Sequence, residues 1–221
     1  LIFFLFVFVL PKFWLSNAMK KNDEELMNMP FTAEEFGQII LKENNLSDVK
    51  IEETEQVDHY DLHDKTVRVQ QGRLAKKSLT SLTIICHEIG HAIQHKEEYG
   101  PLVRRTSLVE RTQWISKFGG VILYSGLPLI LATGSFGLIK VCLLLVLISV
   151  LLGVFIHLIT LDVEIDASFN RAMPILEEKI PSEYHSQCKN VLQAAAYTYV
   201  IGALTSFLSL RYIWLLLSRV R

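Results

Sequence analysis

Cysteine is scarce in this chain: three residues, Cys86, Cys142 and Cys188, far apart, odd in number and without a C-x-x-C pair. That excludes a disulfide framework and suits a reducing compartment. Charge is short too, at 20% of 221 residues, against about a quarter in an ordinary soluble domain. The net charge is −1 and no basic stripe with interleaved aromatics occurs, so nothing points to nucleic acid. Internal repeats and low-complexity linkers are absent as well. The first residue is Leu1 rather than Met, and further N-terminal residues are expected.

Apolar sequence fills the place of the missing charge. Half of the residues are hydrophobic, mean hydropathy is +0.30, and the apolar residues are gathered into runs, as in membrane proteins. Residues 1–15 (LIFFLFVFVLPKFWL) are read as most of a first transmembrane helix. Residues 118–161 carry Lys140 as their one basic group and are expected to form a transmembrane hairpin, helices 2 and 3. Residues 194–217 are read as transmembrane helix 4. Between these lie a polar region at 16–117 and a second one at 162–193. The expected fold is mainly α with a small β element and about four transmembrane helices.

Four spans would put both polar regions on one side of the membrane. That side carries Lys12, Lys20, Lys21, Arg104, Arg105, Arg111, Lys117, Arg171, Lys179 and Lys189 near span ends, against Lys140, Arg219 and Arg221 opposite. Orientation follows Lys and Arg and largely ignores acids. The expectation is a multi-pass protein of the cell membrane with its polar region in the cytoplasm and both termini on the far side.

Within 16–117, FTAEEFGQIILKENNL carries a capping residue, Thr32, acids in the first turn, and Phe36, Ile39 and Ile40 on one face, an amphipathic helix. Alternating segments around YDLHDK predict a strand pair. KKSLTSLTIICHEIGHAIQHKEE then reads as a helix bounded by charge. It contains His87-Glu88-Ile89-Gly90-His91. Residues four apart lie on one helix face, so two imidazoles can meet one ion, with Glu88 beside them. Zinc lowers the pKa of a bound water to about 7, and a neighbouring carboxylate can take that proton as the water attacks a carbonyl. Gly90 keeps one flank of the helix thin. A chance H-E-x-x-H is expected in roughly one chain of this length in a hundred, so the match carries weight without settling the matter.

His95 extends the row but lies about 12 Å from His87 along a helix, too far to share an ion. The longer H-E-x-x-H-x-x-G-x-x-H pattern fails at Gln94 and Glu97. A third ligand must come from elsewhere. LDVEIDASFNRA (161–172) offers Asp162, Glu164 and Asp166, and a second helix giving one Glu to a His pair makes a His₂Glu set with one position open. Glu164, Ser168 and Arg171 share a helical face from which Asp166 points away. Glu164 is the preferred ligand.

HYD at 59–61, TVRV at 66–69, HEIGHAIQH at 87–95, TLDVEIDAS at 160–168 and AAAYTYV at 194–200 together resemble a bacterial membrane family of neutral zinc metallopeptidases, the YugP-like proteins. The resemblance implies a zincin-like region with Zn2+ as cofactor, His87 and His91 as ligands, Glu88 as catalytic base and a peptide or protein as substrate. More distantly the chain is similar to HtpX-like gluzincins, whose third ligand is the first Glu of an E-x-x-x-D pattern. That Glu corresponds to Glu164, but Ser168 stands where the pattern has Asp. Asp166 or Ser168 is then expected to support the zinc-binding imidazoles from behind.

His59 and His63 sit in an Asp-rich turn and read first as solvated residues. The strand before the HEIGH helix could lend its edge to an extended peptide. Cys86 reads as a small buried thiol. His157 falls in an apolar run, where ionisable residues are suspected of function. Two rival readings of the whole remain. One is an intramembrane protease, although the stretch between KKS and KEE is too short to span. The other is a non-enzymatic scaffold or regulator that keeps the fold.

Overall fold

The computed structural model describes residues 10–126, 132 and 135–219. The chain divides into two compact units, one of Leu1–Val103 with Asp162–Thr198, the other of Arg104–Leu161 with Tyr199–Arg221.

In the first unit, α1 (Leu10–Lys21) leads to α2 (Ala33–Glu43), whose start is a reciprocal cap. Thr32 Oγ1 accepts from Glu35 N–H (3.3 Å) and Glu35 Oε2 accepts from Thr32 N–H (2.8 Å), satisfying two donors that the first turn leaves open. The buried face of α2 is Ala33, Phe36, Gly37, Ile40 and Leu41. Ile39, expected on that face, is 41% exposed.

Three strands follow: β1 (Lys50–Thr54), β2 (His59–Asp61) and β3 (Thr66–Gln70), in sheet order β1-β3-β2. β2 and β3 are the expected hairpin, with Tyr60 opposite Val67, while β1 pairs parallel to β3 with Ile51 opposite Val67. Asp61 shapes the turn by accepting from His63 N–H and Asp64 N–H, and it also pairs with Arg68 on β3. β3 is therefore the central strand, with both sides taken. The edge expected to be free on the strand before the HEIGH helix is occupied.

Helix α3 (Leu79–Lys96) carries HEIGH. Ser78 caps it, Oγ accepting from Ser81 N–H and donating to Asp23 (2.9 Å). Thr80 Oγ1 donates to Met19 O and Thr80 N–H to Asn22 O, so the end of α1 is tied to the start of α3. Almost every residue of α3 is buried, because α2, the sheet, the Asp166–Ala172 segment and α6 (Met173–Lys179) surround it. Leu82, Ile85 and Ile89 fill the centre with Phe36, Val67, Val69, Leu176 and Leu192. Its apolar sequence is that of a core helix rather than of one facing lipid.

Helix α4 (Gly100–Val121), a π-helical turn at Ile122–Gly126, α5 (Phe136–Ile165), a π-helical segment Asp166–Ala172, α6, a short 3-10 turn at Ser182–Tyr184 and α7 (His185–Arg219) complete the chain. Within the second unit α5 buries Ile139, Leu143 and Val146 and leaves Leu144, Ile148, Leu151, Phe155 and Leu158 about half exposed. Such an uncovered apolar stripe suits a lipid surrounding.

The mainly helical fold with a small sheet fits the expectation, but four spans do not. Among the described residues one helical stretch, Gly137–Lys179, is long and apolar enough to cross a membrane, with a mean hydropathy of 3.0 in its most apolar part. Residues 1–9 of the first expected span lie outside the described residues. Helix α1, into which that run leads, has 12 residues, ends in Lys20 and Lys21, and belongs to the first unit. In the expected hairpin, residues 127–131 and 133–134 lie outside the described residues. The part before them continues α4, which carries Arg104, Arg105, Glu110, Arg111 and Lys117. The last run continues α7, whose first turns hold His185, Lys189 and Asn190 and pack in the first unit. Apolar runs count composition; the helices they join are partly polar.

Candidate metal centre

Helix periodicity sets the first two donors. His87 and His91 are one turn apart on α3, with ring centroids 4.8 Å apart and planes at 78°. The third donor comes from the end of α5, where Glu164 is buried at 4% exposure. Its Oε2 lies 3.3 Å from His87 Nε2 and 3.6 Å from His91 Nε2. One donor atom from each of the three residues lies within 4.8 Å of the others.

Those separations can be tested against an ion. Donors held about 2.0–2.2 Å from a tetrahedral zinc lie about 3.3–3.6 Å from one another. The two histidine–glutamate distances fall on that edge length, and two imidazoles with one carboxylate are a zinc donor set that leaves a position open. The residues fit the ion.

Two packing features hold α3 against the Glu164 segment. A Cβ placed on Gly90 would stand 2.8 Å from Ala167 O, so the helices approach closer here than any larger residue permits. Cys86 Sγ lies 3.5 Å from Ala172 O at the far end of the same contact, and burial pushes its thiol pKa well up. It is a packing residue.

The backs of both imidazoles are engaged. Ser168 Oγ lies 3.1 Å from His87 Nδ1. His91 Nδ1 lies 3.0 Å from Gln94 Oε1. Asp166, expected to point away, is 7% exposed and held by Gln94 Nε2 (2.8 Å), Asn170 Nδ2 (2.9 Å) and Arg171 Nε (3.1 Å). Asp166 opens the π-helical segment Asp166–Ala172, and its partners come from that segment and from α3. Arg171 also pairs with Glu97 beyond the end of α3.

Electrostatics follow from burial and proximity. Burial disfavours the charged forms of His91 and Glu164, yet their mutual attraction prevails. In the metal-free protein the His91 pKa is raised to about 9 and that of Glu164 falls far below the usual carboxylate range. Glu88 is 6% exposed, and burial pushes its carboxyl pKa up; His87 and His91 oppose this, while Glu164 and Asp58 add to it.

Other candidates are placed elsewhere. His95 meets Tyr60 Oη through Nδ1 (2.9 Å), His59 Nδ1 donates to Val57 O (2.8 Å), and Asp162 is exposed. None belongs to the donor group. Within the second unit the His157 ring lies against Gly202. The sequence reading passed over Gln94, treating it only as a break in a longer motif. A glutamine with 0% exposure, three residues from a ligand in an otherwise apolar helix, is the signal that could have found it.

The chain is 33% identical over 214 residues, 93% of its own length and 92% of the relative's, to a Bacillus subtilis (strain 168) protein described as "Putative membrane protease YugP". No solved structure matches. The family described as "Putative neutral zinc metallopeptidase" matches residues 1–218. With a buried His-His-Glu group of zinc geometry inside that match, the chain belongs to this zinc metallopeptidase family.

Proposed function

We propose that the protein is a membrane-anchored zinc endopeptidase in which His87, His91 and Glu164 hold the ion and Glu88 is the general base. The observation that carries this reading is the convergence of three donor atoms within 4.8 Å of one another, with both histidine–glutamate separations at tetrahedral edge length and a buried carboxylate next in sequence to one donor. When bound, zinc supplies Lewis acidity that brings a water's pKa to about 7. Glu88 takes the proton of the attacking water on its carboxylate and returns it to the departing amine nitrogen. A carboxyl whose pKa is raised by burial is suited to both transfers. The walls of α3 and of the Asp166–Ala172 segment exclude bulk water from the donors.

The membrane side of the proposal rests on α5. Its apolar stretch ends at Leu161, three residues before Glu164, with Arg171 and Lys179 beyond and Lys140 at the other end. That bias of basic residues favours a cytoplasmic site.

Glu88→Gln is the test. The amide keeps size and hydrogen bonding but cannot take the proton, so hydrolysis of an unstructured peptide should fall about 10²–10⁴-fold while zinc content is kept. Glu164→Gln should lower zinc content and turnover together. A Glu88→Gln protein with near wild-type turnover refutes the mechanism.

A further inference from the structure

Gln94 is the one fully buried polar side chain of the HEIGH helix's second half, and all of its amide is used. Nε2 lies 2.9 Å from the carbonyl oxygen of Val163 and 2.8 Å from Asp166 Oδ2, and Oε1 lies 3.0 Å from His91 Nδ1. The direction of these bonds is forced. Val163 O can only accept, and the Asp166 carboxyl already takes Asn170 Nδ2 and Arg171 Nε as donors, so it too meets Gln94 as an acceptor. The NH₂ end of Gln94 must face these two, which leaves its carbonyl facing His91. A carbonyl cannot donate, so Nδ1 of His91 carries the hydrogen. Nε2, the atom that faces Glu164 Oε2, is then the one left to give its lone pair to an ion.

We propose that Gln94 is a positioning residue of the metal centre, which fixes His91 in its Nδ1–H tautomer and joins it to the segment that carries Glu164. The proposal rests on the zinc reading of His87, His91 and Glu164. His87 offers a contrast: its partner Ser168 is a hydroxyl that can donate or accept and so imposes no tautomer by itself. Ligand preparation in this site is thus uneven. One imidazole is set by a buried amide whose orientation is dictated by Val163 O and Asp166. Since Val163 immediately precedes Glu164, the same side chain fixes the separation between the second and third donors.

The consequence is a specific pattern in binding and spectroscopy. Loss of a partner behind a metal-bound histidine typically weakens binding about 10–100-fold. Gln94→Met, which keeps length but offers no amide, should weaken zinc by that order in chelator competition. Gln94→Glu should also weaken it at neutral pH, because a second carboxylate would oppose Asp166 and the Val163 carbonyl. The tautomer is read directly from two-bond 1H–15N spectra of the histidine rings in the full chain in detergent micelles, assigned with a His91→Gln variant. Wild-type protein should show His91 protonated at Nδ1 in the zinc-loaded state. Zinc-free Gln94→Met protein, in which Glu164 alone still faces the ring, should shift towards the Nε2–H form relative to zinc-free wild type.

Wild-type protein that binds zinc but shows His91 protonated at Nε2 overturns the proposal without recourse to any variant. So does a folded Gln94→Met protein with unchanged zinc affinity and an unchanged tautomer. Wild-type protein that binds no zinc overturns the underlying reading instead, so the two failures are distinguishable.

Discussion

Gly90→Ala is the smallest change that should disturb the metal centre without touching a donor. The added methyl would stand 2.8 Å from Ala167 O and 3.4 Å from both Ala167 C and Arg171 Cβ. Ordinary contact begins near 3.4 Å, so the Asp166–Ala172 segment must retreat by about 0.6 Å, since a backbone oxygen has no rotamer by which to move aside. Alanine favours a helix over glycine by about 1 kcal/mol, while overpacking costs about 1–3 kcal/mol. The net cost is about 0–2 kcal/mol, and thermal stability should fall accordingly. Zinc affinity is the sharper readout. Metal sites tolerate about 0.2 Å in donor distance, and the retreating segment carries Ser168 behind His87 and follows directly on Glu164. Chelator competition should show at least a tenfold loss, or about 1.4 kcal/mol. A Gly90→Ala protein with wild-type zinc affinity and an unchanged melting curve would refute the claim that this close approach sets the donor geometry.

Zinc uptake should release protons at neutral pH, because the metal-free His91 pKa is raised to about 9 and the ring must lose its proton to ligate. Calorimetry in two buffers of different ionisation enthalpy should give about one proton per zinc at pH 7, and no buffer dependence contradicts this. In the metal-free protein the raised His91 pKa contributes stability fully below its ordinary value of 6.5, and that contribution is lost as pH rises through about 9. The depressed Glu164 contributes above its ordinary value of 4.5 and fades only in strong acid. Metal-free protein should therefore lose melting temperature between about pH 6.5 and 9, and a rise over that interval would contradict the pairing. In the second unit, a Cβ on Gly202 would lie 2.8 Å from the His157 ring. Gly202→Ala should lower thermal stability in detergent, and adding His157→Ala should restore it; equal losses in both backgrounds would show that the two do not touch.

What could be read from the sequence is what depends on neighbours within one element. The Thr32–Glu35 cap is a four-residue pattern, and His87, Glu88 and His91 follow from one turn of helix. Pairing between elements left weaker marks. Alternation in KIEET and TVRVQ announces strands but says nothing of their parallel pairing. The segment Asp166–Ala172 is too short for its π-helical register to leave a periodic trace, and the partners that bury Asp166, Gln94 above all, lie on another helix far away in sequence. Gln94 was passed over because its meaning lies in Val163 and Asp166, some seventy residues on. The count of spans failed for another reason. Hydropathy sums residues without regard to packing, and α1 and the start of α7 belong to a polar unit despite the apolar runs they adjoin.

The central claim is that His87, His91 and Glu164 hold one zinc ion. Elemental analysis of the full chain, purified in detergent without chelator, tests it most directly. The account predicts one zinc per chain in the wild-type protein and loss of stoichiometric zinc in His87→Ala and His91→Ala. Wild-type protein that carries no metal, or His91→Ala protein that carries as much as wild type, would contradict it.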